Sequence, residues 1–174
     1  GCALPTAFNA IDSLNLKQIN SICIVGCGGL GMSSILAAKK NEIENISVID
    51  YNEKKLSFAK KNGAKYFYKN FSQIKNKNNM FDVIVECTGN IKILEESLDF
   101  VKKFGGKIIV IGNYPNGQML KINPWHIIQG KTLQGAWNNQ NIFDKNFSLI
   151  QKKVSNLKID FYFGNKIYDL ENIN

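Results

Sequence analysis

Backbone N–H groups can hold a pyrophosphate without any basic side chain, and Gly26-Cys27-Gly28-Gly29-Leu30-Gly31 has the spacing that allows it. Gly26 permits a sharp turn off a strand. Gly28 removes a side chain where the pyrophosphate must approach the chain. Gly31 lets the next helix pack close to the sheet. The helix that opens in Gly29-Leu30 adds free N–H groups and the positive end of its dipole. Asp50 stands 22 residues after Gly28, close to the offset of about 20 at which such units carry an acid. A carboxylate there accepts hydrogen bonds from ribose hydroxyls and repels a 2′-phosphate. The chain contains no Arg, so the bidentate partner for that phosphate is missing. NAD is therefore expected over NADP, with Lys54 and Lys55 as the point charges left for a phosphate. Thr88-Gly89 and Ile111-Gly112-Asn113 follow two later apolar runs. Gly89 and Gly112 lack side chains where a ribose or nicotinamide would pass, or else serve plain turn geometry.

These residues need a sheet to hold them at one edge. Five apolar runs predict parallel strands: Ser21 to Val25, Ile46 to Asp50, Lys65 to Tyr68, Phe81 to Glu86 and Lys107 to Ile111, with Thr132 to Trp137 as a sixth. Helices are expected over Gly29 to Asn41, Glu53 to Asn62, Ile91 to Lys103 and Ile142 to Val154, after a lead-in helix from Thr6 to Leu14. Gly63 is placed to end the second of these with a left-handed residue. Ser72 to Asn79 is polar and reads as a loop, and Tyr114 to Gly117 as a turn. The alternation predicts an α/β fold: a Rossmann-type, doubly wound, parallel six-stranded sheet with helices on both faces. In such a sheet, ligands bind at the carboxyl ends of the strands, where every candidate above falls.

Composition narrows the partners. All 22 basic residues are Lys, against 14 acids, for a formal charge of +8 over 174 residues. The lysines are scattered, not gathered in one stripe, which argues against nucleic acid. No apolar run has the length of a membrane span, and no signal peptide is visible. Pro5 sits where a myristoylation pattern after Gly1-Cys2 wants Ser or Thr. The four cysteines, Cys2, Cys23, Cys27 and Cys87, make no C-x-x-C pair, and a reduced, cytoplasmic setting is expected. His126, the only histidine, lies in an apolar segment and reads as a packing or surface residue.

In order and spacing, these segments resemble the cofactor domain of the medium-chain zinc-binding alcohol dehydrogenase family. The likeness runs through Gly1-Cys2-Ala3-Leu4-Pro5-Thr6-Ala7, Gly26 to Gly31, Ile49-Asp50 with Glu53 to Leu56 and Ala59 to Ala64, Phe81 to Gly89, and Gly105 to Gly112. The resemblance implies an NAD(H)-binding domain of a zinc-dependent alcohol or polyol dehydrogenase, with hydride passing between the alcohol and NAD. It implies that Cys2 is the third ligand of a catalytic zinc and that Thr6 lies against the nicotinamide. Lys55 would hold the adenosine ribose beside Asp50, and backbone groups of Ile111, Ala136 and Asn138 would orient the carboxamide. Trp137-Asn138-Asn139 departs from the smaller, glycine-containing ending usual there. The resemblance further implies residues 1–20 leading from a separate catalytic domain, residues 21–155 as the NAD domain, and residues 156–174 returning toward that domain. A homodimer or homotetramer acting on a small alcohol or polyol is expected of the whole protein, with this piece alone inactive. Two other readings stay open: the cofactor domain of a zinc-free quinone or enoyl reductase, and a non-catalytic nucleotide sensor.

Overall fold

The computed structural model describes residues 2–75, 81–137, 151, 152 and 155. Six parallel strands form one sheet: β1 (Ser21–Val25), β2 (Asn45–Ile49), β3 (Tyr66–Tyr68), β4 (Val83–Glu86), β5 (Lys107–Val110) and β6 (Thr132–Gly135). Their order is β3-β2-β1-β4-β5-β6, so the chain reverses its winding direction between β1 and β4. Val25 pairs with Ile49 on one side and Glu86 on the other, which brings the carboxyl ends of β2, β1 and β4 level. That level edge is where a doubly wound sheet opens its crevice.

Both faces of the sheet are covered, as the continuous apolar strands require. On one face, Ile22, Ile24, Ile46, Val48, Val83, Val85 and Ile109 pack under α1 (Ala3–Asp12), α2 (Gly29–Lys40) and α3 (Glu53–Lys61) through Phe8, Ile11, Ile35, Leu36 and Ala59. On the other, Cys23, Val25, Ile49, Ile84 and Ile108 pack against Phe71, Ile74, Phe100 and Leu94 of α4 (Ile91–Ser97). Phe71 and Phe100 stack with ring centroids 4.6 Å apart.

Several boundaries differ from expectation. The first helix begins at Ala3, ahead of Thr6. α4 stops at Ser97, six residues short of Lys103. Phe81 takes the missing turns: its N–H donates to the Phe100 carbonyl at 2.9 Å, and the Lys102 N–H donates to the Phe81 carbonyl at 2.9 Å. Backbone groups that a longer helix would use are thereby paired with the lead into β4. Leu98 and Val101 remain buried even so. The sixth strand ends at Gly135 instead of Trp137. A short helix, α5 (Pro124–Ile128), was not expected; Asn123 caps it and Pro124 opens its first turn. The predicted final helix lies outside the described residues except for Gln151 and Lys152, which are helical. The proposed C-terminal segment, residues 156–174, also lies outside them.

Candidate functional site

The turn between β1 and α2 is built around two close approaches. Gly26 has φ +89, and a Cβ on it would stand 2.7 Å from Thr88 Cγ2. A Cβ on Gly31 would stand 1.8 Å from the Gly26 carbonyl oxygen. Neither position admits a side chain. Gly28 and Gly29 are different: no atom lies within 4 Å of a Cβ built on either, so both face open space. Leu30, beside them, packs partly against the core.

The start of α2 differs from those of α3, α4 and α5, while α1, which starts after Cys2, has no side-chain cap either. Asn52, Asn90 and Asn123 cap α3, α4 and α5 by accepting hydrogen bonds from first-turn N–H groups. The cap of α2 is Gly28, with no side-chain bond. Its first-turn N–H groups thus lack a side-chain acceptor, an arrangement with which a helix start can hold an anion.

Asp50 lies at the end of β2 and is only 6% exposed. Its Oδ2 accepts from the Cys27 N–H at 2.7 Å and its Oδ1 accepts from the Asn52 N–H at 2.9 Å. Lys55 Nζ lies 3.9 Å from Oδ2. Asp50 thus shapes the glycine turn from behind. Two of a carboxylate's roughly four acceptor positions are used by these N–H groups, leaving capacity for a hydroxyl donor. The Cys27 thiol, inside this turn, is pushed up to about 12 by burial and then by the Asp50 charge. Burial also raises Cys23 and Cys87, so these three sulfurs stay protonated at neutral pH.

The ends of β4 and β5 are joined by Glu86, a fully buried carboxylate that sequence reading did not single out. Oε1 accepts from the Thr88 N–H at 2.7 Å and from the Thr88 hydroxyl. Oε2 accepts from the Tyr114 hydroxyl and, at 3.4 Å, from the Gly89 N–H. The Glu86 carbonyl accepts from Ile111 at 3.0 Å and Gly112 at 2.9 Å. Burial, and then the bond to Glu86, raises the Tyr114 phenol, which keeps its proton for that bond. A lone acid closing an apolar buried strand was the signal available in the sequence.

Gly89 and Gly112 serve this junction. A Cβ on Gly89 would lie 2.2 Å from the Asn113 carbonyl oxygen, and one on Gly112 would lie 2.4 Å from the Gly89 N and 2.6 Å from Glu86 Oε2. The close approach of the two loops by itself accounts for glycine at both positions.

The remaining candidates are spread around the same edge. Ile111 is buried, and Ala136 is half-buried with its N–H donating to Val110 at 3.1 Å. Thr6 is half-buried in α1, one turn after Cys2, whose carbonyl accepts its N–H at 3.1 Å. Asn138 lies outside the described residues. His126 is away from this edge in α5, with Nδ1 3.0 Å from Lys131 Nζ and Nε2 3.6 Å from Asp99. Cys2 is an exposed free thiol, and among the described residues no three His, Cys, Asp or Glu side chains gather to hold a metal. The described residues therefore do not form a zinc site.

Comparison with known proteins gives a consistent result. The sequence pattern of the family described as "Zinc-binding dehydrogenase" matches residues 29–152. A curated relative in Schizosaccharomyces pombe, "Probable S-(hydroxymethyl)glutathione dehydrogenase 1", is 30% identical over 145 residues, covering 78% of this chain and 38% of that protein. The solved structure of benzyl alcohol dehydrogenase from Acinetobacter calcoaceticus is 26% identical with a TM-score of 0.70, covering 88% of this chain and 46% of that one. An alcohol dehydrogenase zinc-binding domain protein from Burkholderia ambifaria shares the fold at a TM-score of 0.82 and 23% identity, covering 98% of this chain and 48% of that one. The chain spans less than half the length of each of these proteins.

Proposed function

Because the chain belongs to the zinc-binding dehydrogenase family, we propose that it is the NAD(H)-binding part of an alcohol or polyol dehydrogenase. The single observation that carries the cofactor reading is the pairing of an uncapped helix start at Gly28 with the buried carboxylate of Asp50, joined by the 2.7 Å bond from Cys27. In this reading the α2 N–H groups and the open surface at Gly28 and Gly29 hold the pyrophosphate. Asp50 and Lys55 hold the adenosine ribose, and the negative charge of Asp50 disfavours a 2′-phosphate. Thr6, Ile111, Ala136 and Asn138 border the nicotinamide half. When bound, the nicotinamide accepts or donates the hydride; the protein binds and orients it.

Cys2 is proposed as one ligand of a zinc whose other ligands lie beyond the described residues. The protein is further proposed to work in a reducing, cytoplasmic setting, since its described cysteines are all free. It is proposed to pair through the outer edge of β6. Among the described residues that strand ends the sheet, and Trp125, Ile127 and Ile128 of the preceding α5 are exposed.

Calorimetric titration with NADH and NADPH tests the cofactor reading. The chain should bind NADH more tightly than NADPH. Asp50→Asn should weaken NADH by about tenfold or more, the worth of a charge-assisted hydrogen bond, and should narrow the gap to NADPH. No heat with saturating NADH, or an unchanged preference in the variant, would sink the reading.

A further inference from the structure

We propose that Glu86 is a positioning residue: its buried carboxylate locks the loop after β4 to the loop after β5 and so sets the surface on which the nicotinamide half of the dinucleotide rests. This rests on the NAD reading above. The placement follows from the strand order. The glycine turn lies at the end of β1 and the ribose-binding acid at the end of β2. β4 and β5 continue the sheet on the opposite side of β1. A dinucleotide with its pyrophosphate on the α2 start and its adenosine over β2 must extend its other half over the ends of β4 and β5.

Both loops there take their shape from one side chain. Thr88 and Gly89 donate to Glu86 from the first loop, and Tyr114 donates from the second. The Glu86 carbonyl takes the N–H groups of Ile111 and Gly112 in addition. Gly89 and Gly112 are small because the loops touch across this acid. Among the described residues, the donors to the Glu86 side chain are the amides of Thr88 and Gly89 and the hydroxyls of Thr88 and Tyr114, none of them a cation. A buried carboxylate with neutral donors from two loops is an expensive way to gain stability alone, since an apolar side chain fills such a place more cheaply. It does fix the direction of each donor, which an apolar contact does not.

The separation of ligand halves tests this. The chain and its Glu86→Gln and Tyr114→Phe variants are titrated calorimetrically with NADH and with ADP-ribose, which lacks the nicotinamide. Thermal melts run alongside. The proposal expects each variant to lose about tenfold in NADH affinity, the scale of one buried hydrogen bond, with ADP-ribose affinity changed by less than about twofold. Equal losses for both ligands, or unchanged NADH affinity, overturn it and leave Glu86 a purely structural residue. If Glu86→Gln does not fold, Tyr114→Phe decides alone, because it removes one oxygen and leaves the ring in place. Wild-type chain that binds ADP-ribose but gains nothing from the nicotinamide overturns the positioning role while the dinucleotide reading stands. Wild-type chain that binds neither ligand overturns both.

Discussion

Gly31 shows how little latitude the glycine turn has. The Gly26 carbonyl oxygen occupies the space of any Cβ at Gly31, 1.8 Å away, and backbone cannot swing aside as a side chain can. Gly31→Ala should therefore cost about 3 kcal/mol or more, the upper range for inserting a methyl group into a packed site. The melting temperature of the variant measures it. Gly28→Ala, facing open space, should melt near wild type in the same experiment. The spacing of these glycines was legible in the sequence because each acts on its near neighbours. The structural place of Asp50 was half legible. Its offset from Gly28 pointed to a ribose, but its bond to the Cys27 N–H depends on how the two strands align. Glu86 and Tyr114 were not legible as a pair. They lie 28 residues apart, one at the end of β4 and the other in the loop after β5, and only the β4–β5 register brings them together.

At the level of elements, Asp82 joins three chain segments at the amino end of the sheet. It accepts from the N–H groups of Asn20 and Ser21 at 2.9 and 2.8 Å, from the Ser21 hydroxyl at 3.0 Å, and from Lys102 Nζ at 2.6 Å. Burial raises the Asp82 carboxyl, but the bonds from Lys102, Asn20 and Ser21 outweigh it and hold it below the usual carboxylate range. A carboxyl lowered by folding adds stability above its unfolded pKa and loses it as pH falls through its folded one. Asp82→Asn should thus melt lower than wild type at neutral pH, and the difference should shrink as pH drops below about 4. Thermal melts across that range check it. The strands were readable as apolar runs because both faces of the sheet are covered. The length of α4 was not. Its apolar spacing continues to Val101, yet the pairing of Phe81 with Phe100 and Lys102 withdraws that backbone from the helix. α5 could have been found: Asn123-Pro124 is a cap followed by a residue suited to the first turn.

Across the whole molecule, the described surface is uneven. Most apolar side chains are shared between the two covered faces of the sheet, but α5 leaves Trp125 at 60% and Ile128 at 68% exposure. Among the described residues, β6 beside it has a partner strand on one side only. An unshielded strand edge next to apolar side chains invites a second chain. If two copies pair there, Ile128→Glu should shift sedimentation from dimer toward monomer without lowering the NADH affinity. The formal charge of +8 does not prevent such pairing at physiological salt, where exposed charges beyond about 8 Å are screened. The glycine that begins α2 has a consequence of another kind. Three helices carry their own asparagine cap, and this one, like α1, does not. In the proposed reading, a negatively charged guest on it would complete the helix as the asparagines complete theirs. Occupancy and local folding at this end are then one equilibrium, in which the guest tightens the turn by the same free energy with which the turn holds the guest.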